Sequence, residues 1–326
     1  MNLGALPQRP LPAAVDGSEA NATARRATRQ ILFFATHLLS PVDLRIFRHY
    51  SRQLRYASPP SFARLWLLLY QPAADGVHPL PHTSREIEAG ACAWGDGALR
   101  LALPAVAASA AVAASSTPNA NHRRYFWFHS SLLLWNRTFG YAYPSVRYWW
   151  RIEPDVLFAG SWSSLVRLAE RRPTDLVLPQ LTSHEAQPSY SHWVRNRHFL
   201  KQRPRREWVY SLVSIGRYSR HFMELMTSKW AAGITAYEEI LLPMSCTERV
   251  GCTRETFHRL RSPGWRKTHV ADFFRYRPEW SCETFLMSAA ANTQELWHPV
   301  KHRECWADYL DSCTAKGCAK VKSPEH

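Results

Sequence analysis

The sequence lacks the features that mark several classes of protein. No apolar run reaches the roughly 18 residues needed to span a bilayer, since the stretch from Ile31 to Leu39 is short and contains His37. No heptad pattern and no repeat of about 20–50 residues is present, which excludes coiled coils and solenoids. The amino terminus has no basic head followed by an apolar core, so no signal peptide is predicted. We expect either a soluble intracellular protein or a chain whose membrane anchor lies outside this sequence.

Lysine is also scarce. Seven of the 41 basic residues are lysine and 26 residues are acidic, so arginine supplies nearly all of the formal net charge of +15. Abundant arginine, alanine and proline together are typical of a GC-rich genome. The alternative interpretation is a positive field that attracts a polyanion such as RNA or a sulfated glycan. Only Arg203, Arg205 and Arg206 form a tight run. Nucleic-acid binders concentrate their charge more, so nucleic acid is not an expected partner.

Cysteine is too sparse for a small domain held together by disulfides, with seven residues in 326. Six of them fall in the last third, and close spacing predicts two local disulfides, Cys246 with Cys252 and Cys313 with Cys318. Such bonds indicate the oxidising lumen of the Golgi or ER, whereas reduced core cysteines would fit a cytoplasmic protein. The sequence contains no CxxC pattern, so the spacing of the cysteines does not indicate a zinc site. The sequence also contains two N-glycosylation sequons, compatible with a glycoprotein, at Asn21 and Asn136.

The order of patterns along the chain predicts one α/β domain. Residues 1–28 are rich in Pro, Ala and Arg and predict a disordered leader or stem, residues 29–310 the catalytic domain, and residues 311–326 a polar basic tail. Short apolar runs predict strands at about 31–36, 64–70, 147–153 and 175–179. Helical spacing predicts helices between them, including one through Ile215, Tyr218, Phe222 and Leu225. The expected fold is a Rossmann-type, mostly parallel sheet with helices on both faces and a loop-rich C-terminal third.

Two acidic residues follow the third of these strands. The run YWWRI precedes Glu153, Pro154 and Asp155, and Pro154 cannot donate to a sheet ladder, so strand pairing ends there. Glu153 and Asp155 are two residues apart and face one way, with Cβ atoms about 6–7 Å apart. Ligands of open α/β sheets bind at the carboxyl ends of strands. Two carboxylates at that edge suit Mg²⁺ or Mn²⁺ bridging to phosphate, although an acidic helix cap is the alternative.

The run W-R-I-E-P-D-V resembles the metal-binding segment of nucleotide-sugar glycosyltransferases with the GT-A fold, as an ExD variant of their DXD motif, and the whole chain resembles glycosyltransferase-like proteins of algae and protists. The resemblance implies that Asp155 is the main metal ligand and that Glu153 holds the ribose or a metal-bound water. The strand ending at Thr36 resembles the first GT-A strand, whose end meets the nucleoside. The resemblance thus implies a nucleotide-sugar donor, a glycan or glycoprotein acceptor, and Mn²⁺ or Mg²⁺ as cofactor.

Two later segments extend the resemblance. The segment A-Y-E-E-I-L-L-P resembles an acceptor-side helix of these enzymes, with Glu239 at the matching position. An inverting transferase needs such a carboxylate as general base, and the neighbouring Glu238 is the alternative. In L-W-H-P-V-K, His298 resembles the late histidine that completes the metal site, and Lys301 would neutralise the departing diphosphate. A glycoside hydrolase that uses Glu153 and Asp155 as its acid–base pair is a further alternative.

Overall fold

The computed structural model of the protein describes the central part of the chain with several gaps. The described residues are 28–36, 40–55, 63–71, 97–102, 132–133, 135–136, 140–232, 234, 236–248, 251–257, 274–275, 277–291 and 295–316. The predicted leader, apart from its last residue, lies outside these ranges. None of the helices in the described ranges is both long enough and apolar enough to cross a membrane.

Strands and helices alternate along the chain, as the apolar runs predict. The strands are β1 Gln30–Thr36, β2 Ala63–Gln71, β3 Gly97–Ala102, β4 Tyr148–Ile152, β5 Leu157–Phe158, β6 Leu176–Leu178, β7 Thr182–Ser183, β8 Val209–Tyr210, β9 Ile215–Ser219, β10 Arg254–Thr256 and β11 Leu296–Trp297. The helices are α1 Pro41–Arg55, α2 Trp162–Glu170, α3 His192–Arg195, α4 Arg197–Leu200, α5 Arg220–Ala231, α6 Glu238–Glu248, α7 Cys282–Ala291 and α8 Glu304–Lys316. Short 3-10 turns occupy Gly140–Ala142 and Arg205–Glu207.

Seven strands form the central sheet in the order β10-β6-β9-β4-β1-β2-β3. β1 pairs in parallel with β2 and β4, β2 with β3, and β6 with β10. β9 alone runs antiparallel, between β4 and β6. β4 and β6 therefore point the same way, and their carboxyl ends meet at one edge of the sheet. The predicted α/β class with a mostly parallel sheet is confirmed.

Apolar side chains cover both faces of this sheet. Alternate residues of β1 divide between two clusters, with Leu32 in one and Phe33 in the other, because successive strand side chains point to opposite faces. The first cluster contains buried residues of α1, α2, α7 and α8, whereas the second contains residues of α5 and α6. The prediction of helices on both faces is thus confirmed.

Short polar side chains cap the first turns of two helices. Ser40 Oγ accepts from the Asp43 N–H at 3.1 Å, and Asp43 Oδ2 accepts from the Ser40 N–H at 3.1 Å, which forms a reciprocal cap at the start of α1. Ser161 caps α2 by accepting from the Ser164 N–H. These bonds satisfy N–H groups that have no partner inside the helix.

The predicted helix through Ile215 and Tyr218 is wrong in its first part. Residues 215–219 form strand β9, and helix α5 begins only at Arg220. All five residues of β9 are buried, because the strand lies inside the sheet and is covered on both faces. Such a strand shows no polar–apolar alternation, and its apolar residues three apart imitate a helix. β3 falls in a segment for which no strand was predicted.

The C-terminal third contains more regular structure than predicted, namely β10, α7, β11 and α8. Helix α8 continues to Lys316, so the expected boundary of the tail at residue 311 falls inside a helix. The predicted Cys246–Cys252 disulfide is present, with Cα atoms 5.2 Å apart. A second disulfide, which spacing did not predict, joins Cys282 of α7 to Cys305 of α8. The predicted partner of Cys313, Cys318, lies outside the described residues.

Candidate metal and transfer site

Glu153 and Asp155 leave the sheet at the carboxyl end of β4. The Glu153 N–H donates to the Ser214 carbonyl at 2.8 Å, which is the last backbone bond of this strand toward β9. The chain then turns, and the Val156 N–H donates back to the Glu153 carbonyl at 3.1 Å. Pro154 has no N–H and so cannot extend the ladder. The turn places both carboxylates beyond the sheet edge, where ligands of α/β proteins bind.

His298 reaches the same place from the other end of the chain. β11 pairs antiparallel with β5, and the Val300 N–H donates to the Asp155 carbonyl at 3.0 Å. His298 Nε2 consequently lies 3.8 Å from Asp155 Oδ1 and 4.0 Å from Glu153 Oε2. One ligand atom from each of the three residues fits within a span of 4.8 Å. The structure thus contains a Glu–Asp–His group that could hold a metal ion.

Hydrogen bonds define the tautomer of His298. Its Nδ1 lies 2.9 Å from the Arg275 carbonyl oxygen, which can only accept, so Nδ1 carries the proton. In the neutral ring Nε2 then holds the lone pair, and the Ser214 hydroxyl, 2.8 Å away, donates to it. The ring is almost fully buried and stacks on Phe274 with centroids 4.9 Å apart. This arrangement aims an imidazole nitrogen at the two carboxylates, as metal-binding histidines require.

Lys301 makes an ion pair with Asp155 through Oδ2, while Oδ1 faces His298. Burial alone raises the pKa of Asp155, but three groups oppose it: His298 when protonated, Lys301 and Arg303. The net effect holds the pKa of Asp155 below its usual value. Asp155 is therefore an anion at neutral pH, which both metal binding and the pairing with Lys301 require.

Arg151 ties the first carboxylate to the start of helix α6. Its guanidinium donates to Glu153 Oε1 at 2.9 Å and to Glu238 Oε2 at 3.2 Å. The Arg151 side chain is 1% exposed, so both bonds replace solvation that a buried cation has lost. Glu153 thereby divides its oxygens, with Oε1 held by Arg151 and Oε2 directed toward His298. The guanidinium connects the Glu–Asp–His group to the acidic pair of α6.

Glu238 and Glu239 lie in the first turn of α6 and are both buried. Burial raises the pKa of Glu238 to about 8, with a further rise from Glu153 and a partial offset by Arg151. Burial likewise raises the pKa of Glu239 to about 7, where the Tyr190 hydrogen bond opposes the shift and the charge of Glu153 adds to it. The Tyr190 hydroxyl donates to Glu239 Oε2. Glu239 is thus a buried carboxyl poised to exchange a proton near neutral pH.

The structure brings most of the predicted site residues to one sheet edge. His298 lies within 4.0 Å of both Glu153 and Asp155, and Lys301 pairs with Asp155. The charge of Glu153 acts on both Glu238 and Glu239. Thr36 is buried at the carboxyl end of β1, the strand beside β4, so it lies at the same edge. The roles of these residues stay predictions.

Sequence reasoning missed three contributors to the site. Arg151 was counted within an apolar run, although a charged residue inside a central strand signals a buried partner. Ser214 and Tyr190 carry no such signal, because only the fold brings them to His298 and Glu239.

Comparison with solved structures gives distant matches. No protein family model and no curated protein matches the chain. Among solved structures, mouse xyloside xylosyltransferase 1 in its apo form is 12% identical, covering 83% of this chain and 97% of its own, with a TM-score of 0.37. The galactosyltransferase LgtC in complex with donor and acceptor sugar analogues is 12% identical, covering 88% and 94%, with a TM-score of 0.39. The interpretation of the site therefore rests on its own geometry.

Proposed function

We propose that the protein is a metal-dependent glycosyltransferase that moves a sugar from a nucleotide-sugar donor to a hydroxyl of a glycan or glycoprotein. The observation that carries the proposal is the convergence of Glu153, Asp155 and His298 within 4.8 Å at the carboxyl end of a central strand. This edge is where α/β folds bind phosphate-bearing ligands. The resemblance of the sequence motifs to those of glycosyltransferases supports a nucleotide sugar as the phosphate-bearing ligand.

The three side chains suit a divalent cation. Two carboxylates supply the hard oxygen ligands that Mn²⁺ and Mg²⁺ prefer, and one imidazole favours Mn²⁺ over Mg²⁺. Arg275 fixes the tautomer that leaves Nε2 of His298 as the ligand atom. Two contacts would give way on binding, namely the Ser214 bond to Nε2 and the Lys301 pair with Asp155. Each uses a flexible or rotatable side chain, so the change is local.

Each residue then has a chemical task. Glu153, Asp155 and His298 would hold a divalent cation, which would supply a Lewis acid for the negative charge of the diphosphate leaving group. Lys301, once released from Asp155, adds a second positive charge at the same place. Thr36 lies at the adjacent strand end, which supports its proposed role near the nucleoside.

Glu239 is the proposed general base if the reaction inverts configuration. The acceptor hydroxyl oxygen forms the new bond to the anomeric carbon, the bond from that carbon to the phosphate oxygen breaks, and the hydroxyl proton passes to the Glu239 carboxylate. Its pKa of about 7 leaves a substantial anionic fraction at neutral pH. Glu238 is the alternative base, but its carboxylate is occupied by Arg151. A retaining reaction requires no such base.

The two disulfides support a lumenal location. Cys246–Cys252 joins α6 to the loop before β10, and Cys282–Cys305 joins α7 to α8. Structural disulfides persist in oxidising compartments and are rare in the cytosol. We therefore infer that the protein works in the ER or Golgi, where nucleotide-sugar donors meet glycoprotein acceptors.

The decisive experiment measures nucleoside diphosphate release from a panel of nucleotide sugars, with Mn²⁺ and with a chelator, on wild type and Asp155→Asn. We expect metal-dependent turnover in the wild type, and loss of both turnover and metal-dependent donor binding in the variant, because Asn lacks the anionic oxygen. Asp175→Asn is the matched control. It removes another carboxylate with a lowered pKa, bonded to Ser219 and Thr253 before β6, far from the site edge.

The control variant should keep wild-type metal dependence. The proposed function is wrong if no nucleotide sugar binds or turns over in the wild type, or if Asp155→Asn works at the wild-type rate. Turnover that survives chelation unchanged would remove the metal from the proposal.

A further inference from the structure

A basic surface lies on the segment between β6 and β9. Residues 195–206 contain six basic residues and no acidic one, a density far above that of the whole chain, where 41 of 326 residues are basic. Codon bias raises arginine everywhere, so it does not explain this concentration. Four of the side chains form what we call the basic ridge, defined as Arg197, Lys201, Arg205 and Arg206, and all four are exposed.

The ridge is held on a rigid base. Beneath it, aromatic and aliphatic side chains form a small core of their own, with members from this segment and from α6: Trp193, Leu200, Trp208, Val209, Tyr210, Ile240 and Met244. The Tyr237 N–H donates to Asn196 Oδ1 at 2.8 Å, and the His192 and Tyr237 rings stack with centroids 3.8 Å apart. The segment is therefore docked on the helix that carries Glu239.

Chain topology places the ridge beside the candidate site. β4 and β6 are both antiparallel to β9, so their carboxyl ends share an edge, and residues 179–214 leave and re-enter the sheet there. Tyr190, near the start of α3, reaches Glu239 with its hydroxyl and stacks on Tyr210 at 3.9 Å. The segment thus carries the ridge on its surface and contacts the proposed base on its inner side.

The fold does not neutralise the ridge. In the described part of the chain, no acidic side chain pairs with any of its four cations; Arg205 lies 5.9 Å from the ring of Trp208, an aromatic neighbour. Arg197 and Lys201 are four residues apart across the end of α4, a spacing at which like charges repel. Uncompensated cations that a rigid surface holds together favour an anionic ligand.

We propose that the basic ridge binds an anionic acceptor glycan, one that carries sulfate, phosphate or carboxylate groups, so that its reacting hydroxyl lies at Glu239. The proposal rests on the proposed transferase function. A glycan fits better than nucleic acid because Trp193 and Trp208 are buried in the core of the segment and offer no stacking platform for bases. A membrane fits poorly because α3 and α4 span only four residues each.

The test first measures binding without any donor. Its probes are a sulfated hexasaccharide and its desulfated counterpart. The ridge variant Arg197→Gln, Lys201→Gln, Arg205→Gln, Arg206→Gln is compared with a control of equal charge change, Arg29→Gln, Arg147→Gln, Arg167→Gln, Arg171→Gln. The control residues are exposed and lie before β1 and β4 and on α2 or just after it. Thermal unfolding checks that both variants fold.

We expect wild type and control to bind the sulfated probe about tenfold or more tightly than the desulfated probe. The ridge variant should lose that preference, because four exposed ion pairs disappear together. Binding should weaken as salt rises, since exposed charges are screened. Equal loss in both variants, or no preference for the sulfated probe in wild type, overturns the proposal. Tighter binding of a short RNA or of anionic phosphatidylserine vesicles through the ridge also overturns it.

A second measurement separates this proposal from the transferase function. Donor hydrolysis with Mn²⁺ and without acceptor should be the same in the ridge variant and in wild type, whereas transfer to the sulfated acceptor should fall at least about tenfold. If donor hydrolysis is absent from wild type, the transferase function fails, and with it the acceptor role of the ridge, whatever the binding result. If hydrolysis is present and transfer shows no preference for the sulfated acceptor, only the present proposal fails.

Discussion

Arg151 and Arg217 lie on neighbouring strands of one sheet, and both side chains are almost completely buried. Their surroundings differ. Arg217 pairs in register with Trp150, so it shares a sheet face with that residue, whereas Arg151 points to the opposite face. Arg217 donates to the backbone carbonyls of Ala169, Arg172 and Thr174, at and after the end of α2. Arg151 donates to carboxylates, those of Glu153 and Glu238.

The difference shows what each buried cation does. Backbone carbonyl groups at a helix end do not ionise, so the bonds of Arg217 serve to attach α2 to the sheet. The Arg217 guanidinium also stacks over the ring of Tyr148 at 4.1 Å. Burial lowers the pKa of Arg217 to about 10, which leaves it charged at neutral pH. The carboxylates that accept from Arg151, those of Glu153 and Glu238, can exchange protons and bind a cation. Arg217 is therefore structural, whereas Arg151 positions carboxyl groups that are able to react.

The largest expected effect tests the chemical side of this comparison. Glu239→Gln should reduce transfer by about 10²–10⁴, the usual contribution of a general base, while donor binding stays at the wild-type level. Glu255→Gln is the control. Glu255 is half-buried in β10, and its charge acts on Arg217. Steady-state kinetics with a saturating donor measure both. Equal losses of activity in the two variants would contradict the assignment of chemistry to the Arg151 side of the sheet. If Glu239→Gln transfers at the wild-type rate, Glu239 is not a general base, and the reaction would have to retain configuration.

The next prediction compares the arginines themselves. Arg151→Met should weaken Mn²⁺ binding about 10–100-fold, as loss of an outer hydrogen bond to a metal ligand does. Removal of a cation could strengthen metal binding, but Arg151 holds Oε1 of Glu153 in place, so the loss of orientation at Glu153 should dominate. Arg217→Met should change Mn²⁺ affinity less than about twofold. Mn²⁺ titration followed by electron paramagnetic resonance measures this in the absence of substrate.

Both methionine variants should lose on the order of 3 kcal/mol of unfolding free energy, because each leaves buried polar groups without their partner. Stability alone therefore does not distinguish them, and metal affinity does. Arg151→Lys should restore part of the Mn²⁺ affinity. Tighter Mn²⁺ binding in Arg151→Met would show that Arg151 acts through its charge and not by orienting Glu153.

The smallest expected effect is the pH dependence of stability. Burial raises the pKa of Glu239 above its ordinary value of 4.5 to about 7, so folding favours the protonated form. Its contribution to stability is complete below about pH 4.5 and is lost as the pH rises through about 7. Urea unfolding at pH 5 and pH 8 should differ by roughly 2 kcal/mol through this residue. Glu239→Gln should remove that part, and Glu255→Gln should keep it.

The pKa of Glu238 is raised to about 8, so its contribution to the unfolding free energy also falls as the pH rises through that value. Some pH dependence of stability should therefore remain in Glu239→Gln. The opposite sign, with wild type more stable at pH 8 than at pH 5 and Glu239→Gln without effect, would mean that Glu239 is ionised in the folded protein throughout this range.

Local sequence patterns predicted the parts of the molecule that depend on local chemistry. Apolar runs predicted β1, β2 and β4, and Pro154 predicted the exit of the carboxylates from the sheet. Strand β9 could not be predicted in this way, because its burial on both faces comes from its neighbours. The bonds of Arg151 to Glu238, of Ser214 to His298 and of Tyr190 to Glu239 join residues 49 to 87 positions apart, and no local pattern encodes them.

The reversed direction of β9 also affects how this protein can diversify. β6 and β9 are hydrogen-bonded neighbours, so the segment between them begins and ends about 4.8 Å apart, one strand spacing. A segment with adjacent ends can be lengthened at small cost, about 0.6 kcal/mol for each doubling of a flexible loop. Exchange of residues 179–213 that keeps Tyr190 would leave the contacts of Glu153, His298 and Glu239 in place. On the proposed function, acceptor choice would rest on residues 197–206 and metal binding on Glu153, Asp155 and His298. These are separate stretches of chain, so one can change while the other is preserved.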